Sequence, residues 1–268
     1  MNHNTQSLAP NTRAARRRST SRALLGASIL ATALLGCAQD DNEPTQEDYD
    51  DVATSVGGLV GGGSGEVTSF NDSLSTALGN PPAGFSLSAD GQLEGERGGL
   101  SFSYEVSCSD ASGDLMTLCD DTTDSASLLV DWSGDYNGAL WQFTISRTGD
   151  WSITGLQSDA AVFNGQGTFD VTSASQSIDG RVSRTFALSY AASYQDITID
   201  TASEDLLGGT IIYNVHAERQ VDGRNNEREG EFDITAEVSF DDSGVASLVL
   251  DGSHSYRINL ATGTVSPQ

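Results

Sequence analysis

Two hydrophobic periods divide the chain. Tyr49, Val52, Ala53, Val56, Leu59 and Val60 recur at helical spacing. Thr45, with Asp48 three residues on, forms a capping-box pattern at the start of this helix. The run Gly61-Gly62-Gly63-Ser64-Gly65 stops it. A second short helical pattern follows, with Val67, Phe70, Leu74 and Leu78 on one side, Gly79 as its stop and Pro81-Pro82 barring continuation. The whole glycine-rich stretch 57–65 reads as a flexible joint between the helices; it lacks the spacing and lysine of a phosphate loop. Packing on the protein's own sheet is the expected use of both apolar stripes, with a partner as the alternative.

From about residue 99 the period changes to two. Leu100, Phe102, Tyr104 and Val106 alternate with polar residues, as do Ala126, Leu128, Val130 and Trp132. Ala139, Trp141, Phe143 and Ile145 form a third row, and Trp151 with Ile153 continue on the next segment. Later rows are Val182, Phe186, Leu188 and Tyr190; Ile211, Tyr213, Val215 and Ala217; Phe232 to Phe240; and Tyr256, Ile258 and Leu260. Alternation with one polar side predicts antiparallel sheet, wet on one face. Asn137-Gly138, Asn164-Gly165, Asp179-Gly180, Asp222-Gly223 and Asp251-Gly252 read as tight hairpin turns, and Thr148-Gly149-Asp150 and Asp242-Ser243-Gly244 as further turns. The expected fold is mainly β: an antiparallel meander of about ten to eleven strands over residues 99–268, curled into a barrel, half-barrel or sandwich and preceded by two short helices over 49–82. No helical crossover interrupts the rows, which excludes a doubly wound α/β fold.

The N-terminus has a different character. Residues 1–22 are polar and basic, with Arg16-Arg17-Arg18, and residues 23–35 (ALLGASILATALL) are apolar. Thirteen residues are too few to span a bilayer, which needs about 20, and this order is that of a secretory signal. It ends in Leu34-Leu35-Gly36-Cys37, which resembles the lipobox of bacterial lipoproteins. The resemblance implies a signal peptide over 1–36, cleavage after Gly36, and acylation of Cys37, a firm membrane anchor. Ala38 in place of Asp after the cysteine implies the outer membrane. Residues 37–48 then form an acidic, solvated tether. By plan alone, helices over a curved sheet are similar to the half-barrel of periplasmic lipoprotein carriers; the chain also resembles uncharacterised cell-envelope lipoproteins with glycine-rich β domains.

Export implies an oxidising compartment. With Cys37 acylated, Cys108 and Cys119 remain, eleven positions apart, and read as one structural disulfide. Asp110, Asp114, Asp120, Asp121 and Asp124 crowd the segment it closes and make a weak Ca2+ candidate, without a D-x-D-x-D-G pattern. No other metal or cofactor is expected.

Charge and composition remove further classes. All 13 basic residues are arginine, so lysine-based phosphate loops, Schiff bases and general bases are excluded. Five arginines precede residue 37, leaving eight against 38 acids, a formal charge of −30 that repels nucleic acid. Such acidity suits a salt-rich habitat, where screening relieves self-repulsion, or an arginine bias of the genome. Beyond Cys37 the only histidines are His216, expected on the wet side of its strand, and His254, next to the Asp251-Gly252 turn. A Ser253–His254–Asp251 relay is not expected, because adjacent strand residues point to opposite faces. The chain is therefore not expected to be an enzyme. Two readings remain: a lipid-anchored, non-enzymatic envelope module that binds a protein or glycan or is structural, with a tightly packed interior; or a carrier of a hydrophobic ligand, with a cavity of several hundred Å3 between sheet and helices.

Overall fold

The computed structural model describes residues 43–62, 65–87, 92–97, 99–137, 141–176, 182–223 and 228–268. Helix α1 spans Gln46–Val60 and α2 Glu66–Ala77. The strands are β1 (Ser86–Leu87), β2 (Leu93–Arg97), β3 (Leu100–Ser109), β4 (Ser125–Asn137), β5 (Trp141–Thr154) and β6 (Ala160–Gln176). They continue as β7 (Val182–Asp200), β8 (Leu206–Gly223), β9 (Arg228–Phe240), β10 (Val245–Leu250), β11 (His254–Asn259) and β12 (Val265–Pro267). All twelve form one antiparallel sheet in sequence order, a pure meander open at β1 and β12. The expected mainly β meander is therefore observed, not closed into a barrel, and slightly longer than expected because short edge strands lie outside the alternating rows.

The capping box forms as its residues predict. Thr45 Oγ1 accepts the Asp48 N–H at 3.3 Å, and Asp48 Oδ2 accepts the Thr45 N–H at 2.7 Å. Helix α1 therefore begins at Gln46, inside the stretch read as tether. Gly57 lies within this helix, and a Cβ there would stand 2.7 Å from the Gly263 carbonyl oxygen. One at Gly61 would stand 2.8 Å from the Gly263 Cα. The glycine run is thus partly a close-packing surface against the β11–β12 turn rather than only a flexible joint. At the end of α2, Gly79 adopts φ +79°, and a Cβ there would meet the Cys119 carbonyl oxygen at 2.8 Å, so glycine meets both a backbone and a packing need.

Three expected turns are not turns. Asp222-Gly223 ends β8, paired with Ser183 and Val182. Thr148-Gly149-Asp150 lies inside β5, paired with Asp131, Val130 and Leu129 on one side and Thr168, Gly167 and Gln166 on the other. Its glycine is there for space: a Cβ on Gly149 would stand 2.8 Å from the Trp151 ring. The two rows read as separate segments are thereby one 14-residue strand. Asn164-Gly165 marks a bulge in β6, locked by two hydrogen bonds between Asn164 and Asp196, the latter at φ +50°. Asp251-Gly252 does form the β10–β11 turn, with both residues at positive φ. Gly138, Asp179 and Gly180 lie outside the described residues, between strands that do pair as hairpins.

One face of the sheet is covered by the helices. Helix α1 packs on β10, β11 and β12, and α2 on β3 and β4. Most of their apolar stripes is buried: Val52, Ala53, Val56, Val60, Phe70, Leu74 and Ala77 have no exposed surface, while Tyr49, Val67 and Leu78 at the margins are partly buried. The in-phase residues of β3 to β11 meet them, from Phe102 and Tyr104 through Trp132, Trp151 and Tyr213 to Tyr256 and Ile258. Each such side chain removed from water contributes about 1.5–3 kcal/mol.

Candidate functional site

At the centre of the covered face stands a charge. Arg147 is in phase with Ile145, Trp151 and Ile153 on β5 and is buried with the last two. It pairs with Glu66, the first residue of α2, both side chains being 1% exposed. The guanidinium also donates to Ser69 Oγ and to Tyr194 Oη, each at 3.1 Å. Tyr194 donates to Glu66 Oε1 at 2.8 Å, and Tyr213 reaches the same oxygen at 3.5 Å. Trp151 and Trp132 flank the cation, with ring centroids 4.9 and 5.6 Å from Arg147 Cζ. Glycines make room for this group. Gly149 and Gly167 are register partners on the same face, and a Cβ on Gly167 would approach Tyr194 Oη to 3.3 Å.

Burial pushes the Glu66 carboxyl up, against the pull of Arg147 and the two tyrosine hydroxyls. Burial also opposes the Arg147 cation, but Glu66 and Tyr194 outweigh it and hold the guanidinium more firmly protonated than usual. Phe70 completes the plug one turn along α2, with rings of Trp151, Phe163 and Tyr194 at 5.5–5.7 Å. Among the described residues, this network packs the space directly beneath α2.

A groove of about 610 Å3 lies on the opposite, polar face, across β3 to β7. Its lining follows the register. One row runs Glu105, Leu129, Asp150, Gln166, each residue the direct partner of the next. The neighbouring row runs Ser103, Asp131, Thr148, Thr168, Ala191. Gln92 closes one end, accepting from Ser103 Oγ at 3.2 Å. Thr148 and Thr168 share a hydroxyl hydrogen bond of 2.7 Å. Leu129 is 51% exposed, and the other outer-face positions of β3 to β5 are polar. Among the described residues, no side chain forms an ion pair or hydrogen bond with the carboxylates of Glu105, Asp131 or Asp150. The groove can therefore accept a cation, an amide and a short apolar stem together.

Cys108 and Cys119 form the expected disulfide, with Cα atoms 5.4 Å apart. The loop it closes exposes Leu115 and Leu118, 81% and 71% accessible. Its acids serve the loop's own backbone. Asp110 Oδ1 accepts the Ser112 and Asp114 N–H groups, and Asp120 Oδ1 accepts the N–H and hydroxyl of Thr122. The Thr122 bonds hold the Asp120 carboxyl below its usual range. The structure does not gather Asp110, Asp114, Asp120 and Asp121 into a common set: among the described residues no three His, Cys, Asp or Glu side chains form a group able to hold a metal.

His216 lies on the polar face as expected, with Nδ1 2.8 Å from Asp233 Oδ1. Its pKa is raised, first by that hydrogen bond, with Glu231 and Glu218 adding to it. Ser253 and His254 do meet, Oγ to Nδ1 at 3.1 Å, because Ser253 belongs to the turn and the alternation of a strand does not apply to it. Asp251 does not join them; it accepts from Tyr49 Oη at 2.9 Å and the Thr235 N–H at 2.8 Å. The His254 ring stacks on Tyr49 at 3.7 Å, fastening α1. Cys37 lies outside the described residues.

Sequence reasoning missed Arg147, Glu66 and Leu129. Each had a signal: an arginine in phase with an apolar row, an acid one turn before Phe70 on the buried stripe, and a leucine out of phase among serines and acids. No known protein family matches the chain, and no curated protein or solved structure matches it.

Proposed function

We propose that the chain is a non-enzymatic module of the bacterial cell envelope, anchored through lipid on Cys37 at the outer membrane, that meets its partner on the polar face of the sheet. The carrying observation is the plugged interior. Glu66, Arg147, Tyr194, Phe70 and Leu74 are buried together beneath α2, and the groove of several hundred Å3 opens on the other side. The two histidines also favour binding over catalysis: one is surrounded by surface carboxylates and the other is stacked on Tyr49. The anchoring half of the reading rests on the lipobox-like Leu34-Leu35-Gly36-Cys37.

Palmitate labelling of the full chain in a bacterial host, with fractionation of inner and outer membranes, tests the anchor. Wild type should carry label in the outer membrane, and Cys37→Ser should carry none and leave the membrane fraction. An unlabelled, soluble wild-type chain would refute the anchor. Extraction of bound species from the purified chain tests the binding half: a stoichiometric lipid would instead support the carrier reading.

A further inference from the structure

We propose that the groove on the polar face docks an extended, arginine- or lysine-bearing segment of a partner protein. This rests on the reading of the chain as a binding module and specifies what that module binds.

Leu129 carries the argument. Its register partners are Glu105 on β3 and Asp150 on β5, and Asp131 lies two residues along the same strand. Strands are about 4.8 Å apart, so the flanking carboxylates branch from backbones roughly 10 Å apart, with the leucine between them. Asp131 branches about 7 Å away along β4. An exposed apolar side chain bordered by three carboxylates matches one kind of group: an aliphatic stem ending in a cation. The stem of an arginine or lysine would lie on Leu129, and its head would reach the carboxylates. The rest of the groove is neutral and bifunctional. Gln166 presents an amide that both donates and accepts, and the paired Thr148 and Thr168 hydroxyls lie beside it in the next row. Peptide groups of an extended segment satisfy both roles. A polyamine, which offers only donors, leaves the Gln166 amide donor unmatched. About 610 Å3 is within the range of ligand sites and holds a few residues. The charge of −30 beyond residue 36 steers cations toward the whole surface, so the groove must be distinguished from the general field.

The test uses the full chain, purified in detergent, and a fluorescein-labelled nonapeptide of alternating arginine and serine. Binding is read by fluorescence anisotropy at low and at physiological salt. Asp131→Asn with Asp150→Asn should weaken binding about tenfold or more. Leu129→Ser should weaken it severalfold at unchanged charge. The control pair Asp205→Asn with Glu237→Gln removes the same charge from exposed positions before β8 and on β9 and should change binding less than about twofold. All substituted positions are solvent-facing, and thermal melts check that each variant folds. Equal losses from the groove pair and the control pair, or no loss from Leu129→Ser, would overturn the proposal in favour of a general acidic field. Spermine binding as tightly as the peptide, with the same losses, would overturn the choice of a protein segment. A chain that carries lipid yet binds the peptide through the groove would sink the non-carrier reading alone. A lipid-free chain with no groove-dependent binding would sink this proposal alone.

Discussion

The two faces of β3 to β7 differ by one residue in phase and follow opposite rules for charge. On the covered face the charge, Arg147, is met by Glu66, Ser69 and Tyr194, and is walled by two tryptophans. On the polar face Glu105, Asp131 and Asp150 stand in solvent around a half-exposed leucine. Water makes the difference. A charge removed from it costs several kcal/mol unless fully paired, whereas a hydrated carboxylate can wait for a partner. The covered face therefore specifies how α2 docks, and the polar face leaves its carboxylates hydrated.

The largest expected effect breaks the covered face. Arg147→Met leaves Glu66 buried without its cation and should cost about 3–5 kcal/mol, whereas Glu66→Met with Arg147→Met should recover most of it. Denaturant midpoints at unchanged slope would show this, and equal losses in the single and double variants would contradict it. Next is the disulfide. Cys108→Ala with Cys119→Ala should cost about 2–3 kcal/mol, read as a lower melting temperature; no change would mean that the loop is held by its Asp110 and Asp120 hydrogen bonds alone.

A smaller effect concerns the edge of the covered face, where Asp48 caps α1 and pairs with Arg219 on β8. Burial opposes the charge, but hydrogen bonds from Thr45 and Arg219 outweigh it, so the Asp48 carboxyl lies below its ordinary 3.8. A depressed carboxyl contributes stability above its unfolded value that is lost as pH falls through its folded value. Wild type should therefore lose its advantage over Asp48→Asn, about 1–2 kcal/mol at neutral pH, as pH falls below 3.8. A constant difference across that window would contradict the pairing. The smallest effect belongs to the polar face. His216 has a raised pKa, so its contribution is complete below 6.5 and fades as pH rises through the higher folded value. Melting of wild type against His216→Asn should converge above that range, and added salt should shrink the difference, because the group is well exposed.

Much of the architecture could be read from alternation, because burial on one side of a strand demands it. Thr45 and Asp48 announced α1, and the Asp251-Gly252 turn followed from the tolerance of both residues for positive φ. Gly149 and Gly165 misled for a physical reason. Glycine serves turns and close packing alike, and only the position of the Trp151 ring tells which. The buried pair was obscure because Glu66 and Arg147 are 81 residues apart, and nothing local says that two in-phase charges will meet. The groove was less legible still. Its rows exist only across strands, and Leu129 is unusual only once its neighbours are known to be Glu105 and Asp150.

On the proposed reading α2 closes over Phe70 and Arg147 with no room for a ligand, and binding belongs to the other face. Native mass spectrometry of residues 38–268, exported and purified in high salt, tests it most directly. The expected result is the polypeptide mass less two hydrogens for the Cys108–Cys119 bond, with nothing extractable into organic solvent. A stoichiometric lipid that disappears on Phe70→Asp in a still-folded chain would place a ligand where the structure places Phe70 and Arg147, and would contradict the account.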